Sequence, residues 1–112
     1  NLAGFVEIVK QLKETDYRYL HVVLGFANDK DVQAMLSLLP RMNATYYLCQ
    51  ANSARAMEVS IVEKMAQTFS LKTVNGGSVE KSYNLAKQSA KKEDLILICG
   101  SNFVIGELLG LV

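Results

Sequence analysis

Four short polar stretches hold the residues whose types and spacing could do chemistry. Gly100-Ser101-Asn102 follows the apolar run Leu95 to Cys99 and precedes Val104, Ile105, Leu108 and Val112 at helical spacing. That order reads as strand, tight polar turn and helix. Ser101 or Asn102 can cap the helix with a side-chain oxygen. Free backbone N–H groups at such a turn suit a carboxylate or a phosphate. A plain cap on a structural helix is the alternative. The second stretch runs from Gly25 to Asp31 and places Lys30 between Asp29 and Asp31. It is either a solvated, acid-capped helix start or a charged cluster at the end of a strand.

The third stretch is Gln50 to Arg55. Asn52 or Ser53 can cap a helix carrying Val59, Val62, Met65, Ala66 and Phe69. Arg55 then falls in the first turn, where a cation opposes the helix dipole. An anionic ligand or a nearby carboxylate would justify it; an exposed side chain is the other reading. The fourth stretch is Asn75 to Ser78. Gly76-Gly77 could cradle a phosphate, but neither G-x-G-x-x-G nor G-x-x-x-x-G-K-[ST] is present. A simple turn, with Ser78 capping the next helix, fits better.

Elements must position these stretches. An amphipathic helix covers Asn1 to Glu14, with Leu2, Phe5, Val6, Val9 and Leu12 on its apolar face. Its start at the first residue suggests a piece of a longer chain. Strands are predicted at Tyr19 to Leu24, Thr45 to Cys49, Leu71 to Val74 and Leu95 to Cys99. The last, a continuous apolar run, fits a strand buried on both faces. Helices follow from Asp31, bounded by Pro40, from about Asn52, from Ser78 and from Asn102. Strands alternating with helices imply an α/β fold: a mostly parallel sheet with helices on both faces. All four polar stretches then share one edge, the one where open α/β sheets bind ligands.

Composition narrows the classes. The chain has 112 residues, half of them hydrophobic, with 12 basic and 11 acidic residues and a net charge of +1. One domain with a core that needs no disulfide or metal is expected. The charge balance predicts no preference for nucleic acid or an anionic membrane. No apolar run approaches a membrane span. Cys49 and Cys99 are expected to be free thiols in a reducing, cytoplasmic setting. With one histidine and no Cys-x-x-Cys, no metal site is written here. His21, inside the first strand, reads as a satisfied core or edge residue.

Two of these stretches, together with the start of the chain, resemble a known family. Asp29-Lys30-Asp31 before a helix is similar to the Asp-Lys-Asp loop of folylpolyglutamate synthases. Gly100-Ser101-Asn102-Phe103-Val104-Ile105-Gly106-Glu107 is similar to that family's closing Gly-Ser-x-x-x-[Val/Ile]-Gly-Glu. Asn1-Leu2-Ala3-Gly4 looks like the tail of the Asp-Gly-Ala-His-Asn-x-x-Gly motif that opens its C-terminal domain. The order and approximate spacing agree across the whole chain. One position departs: the family has Pro-Arg before its third helix, and here Ala54 precedes Arg55. The motif's Asp and His would lie before Asn1.

The resemblance implies the C-terminal, Rossmann-like, three-layer domain of a folylpolyglutamate synthase/dihydrofolate synthase of the Mur ligase type. It implies an ATP- and Mg²⁺-dependent ligase that joins L-glutamate to folate or dihydropteroate through an acyl phosphate. Phosphate and Mg²⁺ ligands would sit in another domain, so this chain alone would be inactive. It would close over the cleft. Lys30, Ser101, Asn102 and, less directly, Arg55 would bind glutamate, and Asn1 would line the ATP-side cleft edge. A missing upstream strand would leave the sheet with a bare edge, expected to cause marginal stability or a homo-oligomer. The alternative is a stand-alone α/β domain that binds a small molecule or nucleotide. A receiver-like docking module is disfavoured, since Gly25 and Val74 stand where it needs acidic residues.

Overall fold

Alternation of strand and helix along the chain produces a parallel sheet because each crossover carries a helix back over one face. A computed structural model describes residues 2–111. Five helices, α1 (Leu2–Lys13), α2 (Val32–Ser37), α3 (Val59–Thr68), α4 (Val79–Ser89) and α5 (Asn102–Leu111), alternate with four strands, β1 (Leu20–Gly25), β2 (Ala44–Cys49), β3 (Thr73–Gly77) and β4 (Leu95–Gly100). The sheet order is β3-β2-β1-β4 and all pairs are parallel. Leu20 lies beside Ala44 on one side and Leu95 on the other.

The period-two alternation of strand side chains sorts the core into two layers. Leu20, Val22, Leu24, Tyr46 and Leu48 face α1, α2 and α3, where Phe5, Val9, Leu36, Val62 and Ala66 meet them. Val23, Tyr47 and Cys49 face α4 and α5, against Val79, Ala86, Val104 and Leu108. The expected three-layer α/β architecture is therefore present. α4 packs closely on β3: Gly76 lies so close to Ser82 that a Cβ would come within 1.9 Å of its hydroxyl oxygen.

Three expectations need correction. The run Leu95 to Cys99 is not buried on both faces. β4 is an outer strand, and Leu95 to Ile98 are only half-buried, whereas β1 and β2 are buried throughout. An apolar run reports hydrophobicity, not position in the sheet. The third strand begins at Thr73 and extends through Gly76-Gly77, so that pair is strand and not turn. Cys49 pairs with Gly77 across a register shift after Leu48, which absorbs the extra residue. Leu71 lies before the strand and is buried in the first layer. Finally, α3 starts at Val59, and neither Asn52 nor Ser53 caps it. Gln50 does so from a distance: its Oε1 accepts from the Val59 N–H at 3.2 Å.

Cys49 and Cys99 are both free and buried. β1 separates their strands, and they pack into opposite layers. Burial pushes both thiols up to about 12, with Glu107 adding to the effect at Cys49 and Cys49 adding to it at Cys99. No helix of the described residues is long and apolar enough to cross a membrane.

Candidate functional site

The order β3-β2-β1-β4 makes a switch point between β1 and β4. The chain leaves β1 toward α2 on one face, and leaves β4 into α5 on the other. Connections departing in opposite directions open a crevice beyond the carboxyl ends of the two strands. The Gly25–Asp31 and Gly100–Asn102 stretches flank that crevice.

Close approach of backbone builds its floor. Ser101 N–H donates to Gly25 O at 2.8 Å. Gly100 has φ 111, and a Cβ there would stand 2.0 Å from Gly25 O. Only glycine fits both demands. Ser101 is buried, and its Oγ accepts from the Phe103 N–H at 3.0 Å. It is thus the cap of α5. Its amide is committed to Gly25, leaving its hydroxyl hydrogen and the Asn102 amide without a partner among the described residues. Asn102 is exposed at the first turn of α5.

On the other bank, Asp31 caps α2: its Oδ1 accepts from the Ala34 N–H at 3.2 Å. That matches the acid-capped start read from the sequence. Lys30 is half-buried, and no ion pair among the described residues involves it. An ammonium so placed is available to an anion.

Arg55 is not in the first turn of α3, so the helix dipole does not bear on it. It lies four residues earlier, in a loop, where Ser53 Oγ accepts from its N–H at 3.2 Å. Its guanidinium donates to Asp29 Oδ2 at 3.0 Å and lies 5.7 Å from the centre of the Phe103 ring. The nearby carboxylate that the sequence argument required is Asp29. Both side chains are more than half exposed, so the pair contributes little to stability. Its effect is geometric: Arg55 ties the β1–α2 loop to the start of α5. Main-chain bonds add to this, with Asn28 N–H donating to Arg55 O and Met57 N–H to Phe26 O, each at 2.8 Å.

Sequence reasoning assigned no role to Glu107, Phe103 or Gln50. Glu107 Oε1 accepts from the Asn52 N–H at 2.7 Å, clamping the β2–α3 loop onto α5. The signal was present in the Gly106-Glu107 pair, but its partner is a backbone amide 55 residues away. The structure thus brings together the loops carrying Lys30, Arg55, Ser101 and Asn102. Asn1 lies outside the described residues. Among the described residues, no group of three His, Cys, Asp or Glu side chains could hold a metal ion.

A parallel α/β domain with a crevice at its switch point has the form in which open α/β folds bind ligands. Comparison with known proteins narrows this. The Mur ligase, glutamate ligase domain family matches residues 1–102, and the chain belongs to that family. It is 30% identical over 102 residues to a probable bifunctional folylpolyglutamate synthase/dihydropteroate synthase of Haloferax volcanii, covering 90% of this chain and 12% of that protein. Its fold is that of E. coli FolC solved with DHPP and ADP: TM-score 0.87, 19% identity, 99% of this chain and 26% of that one. It also matches a bifunctional folylpolyglutamate synthase/dihydrofolate synthase solved with Mn, AMPPNP and L-glutamate: TM-score 0.84, 20% identity, 99% and 26%. The chain therefore spans about a quarter or less of the length of these relatives.

Proposed function

We propose that the chain is the C-terminal domain of a cytoplasmic, ATP-dependent ligase that adds L-glutamate to folate or dihydropteroate. The observation that carries this reading is that the loop bearing the unpaired Lys30 ammonium is tied through Asp29 and Arg55 to the start of α5, which Ser101 caps. In such a ligase, ATP phosphorylates the pterin substrate's carboxylate and ADP departs. The glutamate amine then attacks the acyl carbon, phosphate leaves, and the amine gives up a proton. The domain's own residues bind and orient. Lys30 supplies positive charge to a glutamate carboxylate. The Asn102 amide and the Ser101 hydroxyl offer donors to a second oxygen, and Arg55 holds the two banks in register. Such positioning lowers the barrier by removing translational and rotational freedom before attack.

No group of three metal-ligating side chains exists among the described residues, so Mg²⁺ would be held by the other domains of the longer enzyme. ATP would be held largely by other domains, with Asn1 at the shared edge. The test is made on the longer enzyme. Lys30→Ala should raise the KM for glutamate by about tenfold, the loss of one charge-assisted contact. An unchanged KM would remove Lys30 from the site. The 112-residue chain alone should show no glutamate-dependent ATP turnover; measurable turnover would contradict the division of labour.

A further inference from the structure

The opposite, amino-terminal edge of the sheet holds a cavity that the ligase reading does not use. Its volume is about 400 Å³, enough for a small metabolite. It lies toward the starts of β1, β2 and β3, away from the turns of the carboxyl edge. Its wall is built around His21, which is buried although polar. His21 Nε2 lies 2.8 Å from Asp94 Oδ2, and Nδ1 lies 2.8 Å from Tyr47 Oη. Arg18 donates to both Asp94 oxygens, at 2.8 and 2.9 Å, and the Lys91 N–H adds a fourth bond at 2.9 Å.

These bonds fix where the remaining donors and acceptors point. Asp94 is an acceptor only, so His21 Nε2 donates to it, and Nδ1 exchanges a hydrogen bond with the Tyr47 hydroxyl. Arg18 spends Nε and Nη2 on Asp94, and Nη1 is left. Lys72, across the cavity, has no ion pair among the described residues. The Lys72 ammonium, with no ion pair among the described residues, and the remaining Nη1 donors of Arg18, whose charge Asp94 balances, therefore line the same space. Between them run aromatic rings: Tyr19 lies 5.1 Å from His21, and His21 lies 5.9 Å from Tyr47, centre to centre. Val74 and Leu85 close the apolar side.

We propose that this cavity is a second binding site, for a small aromatic carboxylate. The carboxylate meets Lys72 and Arg18. The ring lies against Tyr19, Tyr47 and Leu85 at the offset or tilted distances that aromatic pairs prefer. The His21–Asp94 pair holds Tyr47 so that its hydroxyl can hydrogen-bond a polar group on the ring. This site stands independently of the ligase reading, because it shares no residue with the carboxyl edge.

The test is a titration of the isotope-labelled 112-residue chain with benzoate, followed by amide and tyrosine-ring NMR shifts. Saturable shifts should map to Arg18, Tyr47, Lys72 and Val74. Lys72→Met should weaken binding about tenfold, since one charge-assisted contact is lost. Val74→Trp, which fills the mouth, should abolish it. Both positions are exposed, so the remaining spectrum should stay native. Shifts confined to the carboxyl edge, or none that saturate, would overturn the proposal. So would an unchanged affinity in a folded Lys72→Met chain. Acetate or inorganic phosphate binding as tightly as benzoate would overturn the aromatic part.

Discussion

Replacing Gly100 with alanine tests whether the β1–β4 crevice depends on backbone contact. The new Cβ would stand 2.0 Å from Gly25 O, and the residue would have to keep φ 111. The backbone conformation alone costs an L-residue about 1–2 kcal/mol. Relieving the clash by shifting β4 away from β1 adds about 1–3 kcal/mol. The sum, about 3 kcal/mol, is a large share of the ~5–15 kcal/mol that stabilises a domain. In a chain of this length it lowers the melting temperature by about 12 °C. Gly106 is the control. It sits in α5, six residues on, with nothing within 4 Å of its would-be Cβ. Gly106→Ala should stabilise by about 1 kcal/mol through helix propensity. Urea unfolding of both variants measures the contrast. A Gly100→Ala loss below about 1 kcal/mol would mean the strands are not held together as described, and the crevice floor would need another basis.

Three further outcomes follow from other parts of the molecule. Loss of hydration works to raise the Asp94 pKa, but the Lys91 N–H, the Arg18 and His21 hydrogen bonds and the Arg18 charge outweigh it and hold the carboxyl well below the usual range. Its stabilisation is therefore full above the ordinary carboxylate pKa and is lost as pH falls below about 4; the urea midpoint of Asp94→Asn should fall less across that interval, and parallel curves would refute the assignment. Cys49 and Cys99, buried and pushed up to about 12, should react with a thiol reagent only as fast as the chain opens; rapid labelling of native protein would contradict their packing. Among the described residues no strand covers the outer edge of β4, where Leu95 to Ile98 are half-exposed. Concentration-dependent self-association should appear in sedimentation of this chain, and Ile96→Lys should suppress it; a monomer at every concentration would show that the bare edge is harmless.

Hydrophobic period and turn residues made most of the fold legible. The β1 and β2 runs and the caps at Asp31, Ser78 and Ser101 are local signals that found their expected partners, whereas of the α1 stripe only Phe5, Val9 and Leu12 are buried and Leu2 and Val6 stay exposed. Position across the sheet is not local. Nothing within Leu95 to Cys99 says that the chain crosses β1 to reach the far edge, because sheet order is decided by where α4 lands. The start of α3 failed for a related reason. Asn52 and Ser53 have cap chemistry, but the antiparallel bridge of Ala27 with Ala56 ties down the segment after them. The helix can begin only beyond it, with Gln50 supplying the missing acceptor.

The candidate site divides along the same line. Lys30, Ser101 and Asn102 could be singled out because each lies between the end of a strand and the first turn of the next helix, and such turns are marked in sequence. What joins them was not. Arg55 reaches Asp29 and Phe103, and Glu107 reaches the Asn52 amide, through contacts that span 26 and 55 residues for the two carboxylates. These long-range ties decide whether the loops form one surface or three separate turns. The exposed Arg55–Asp29 pair adds little stability, so its worth would lie in tying the loop that carries Lys30 to the start of α5. Loosening it should leave the melting temperature nearly unchanged while spreading the crevice. A glutamate KM that rises in the longer enzyme's Arg55→Ala variant, without a matching loss of stability, is the signature that separates a positioning tie from a structural one.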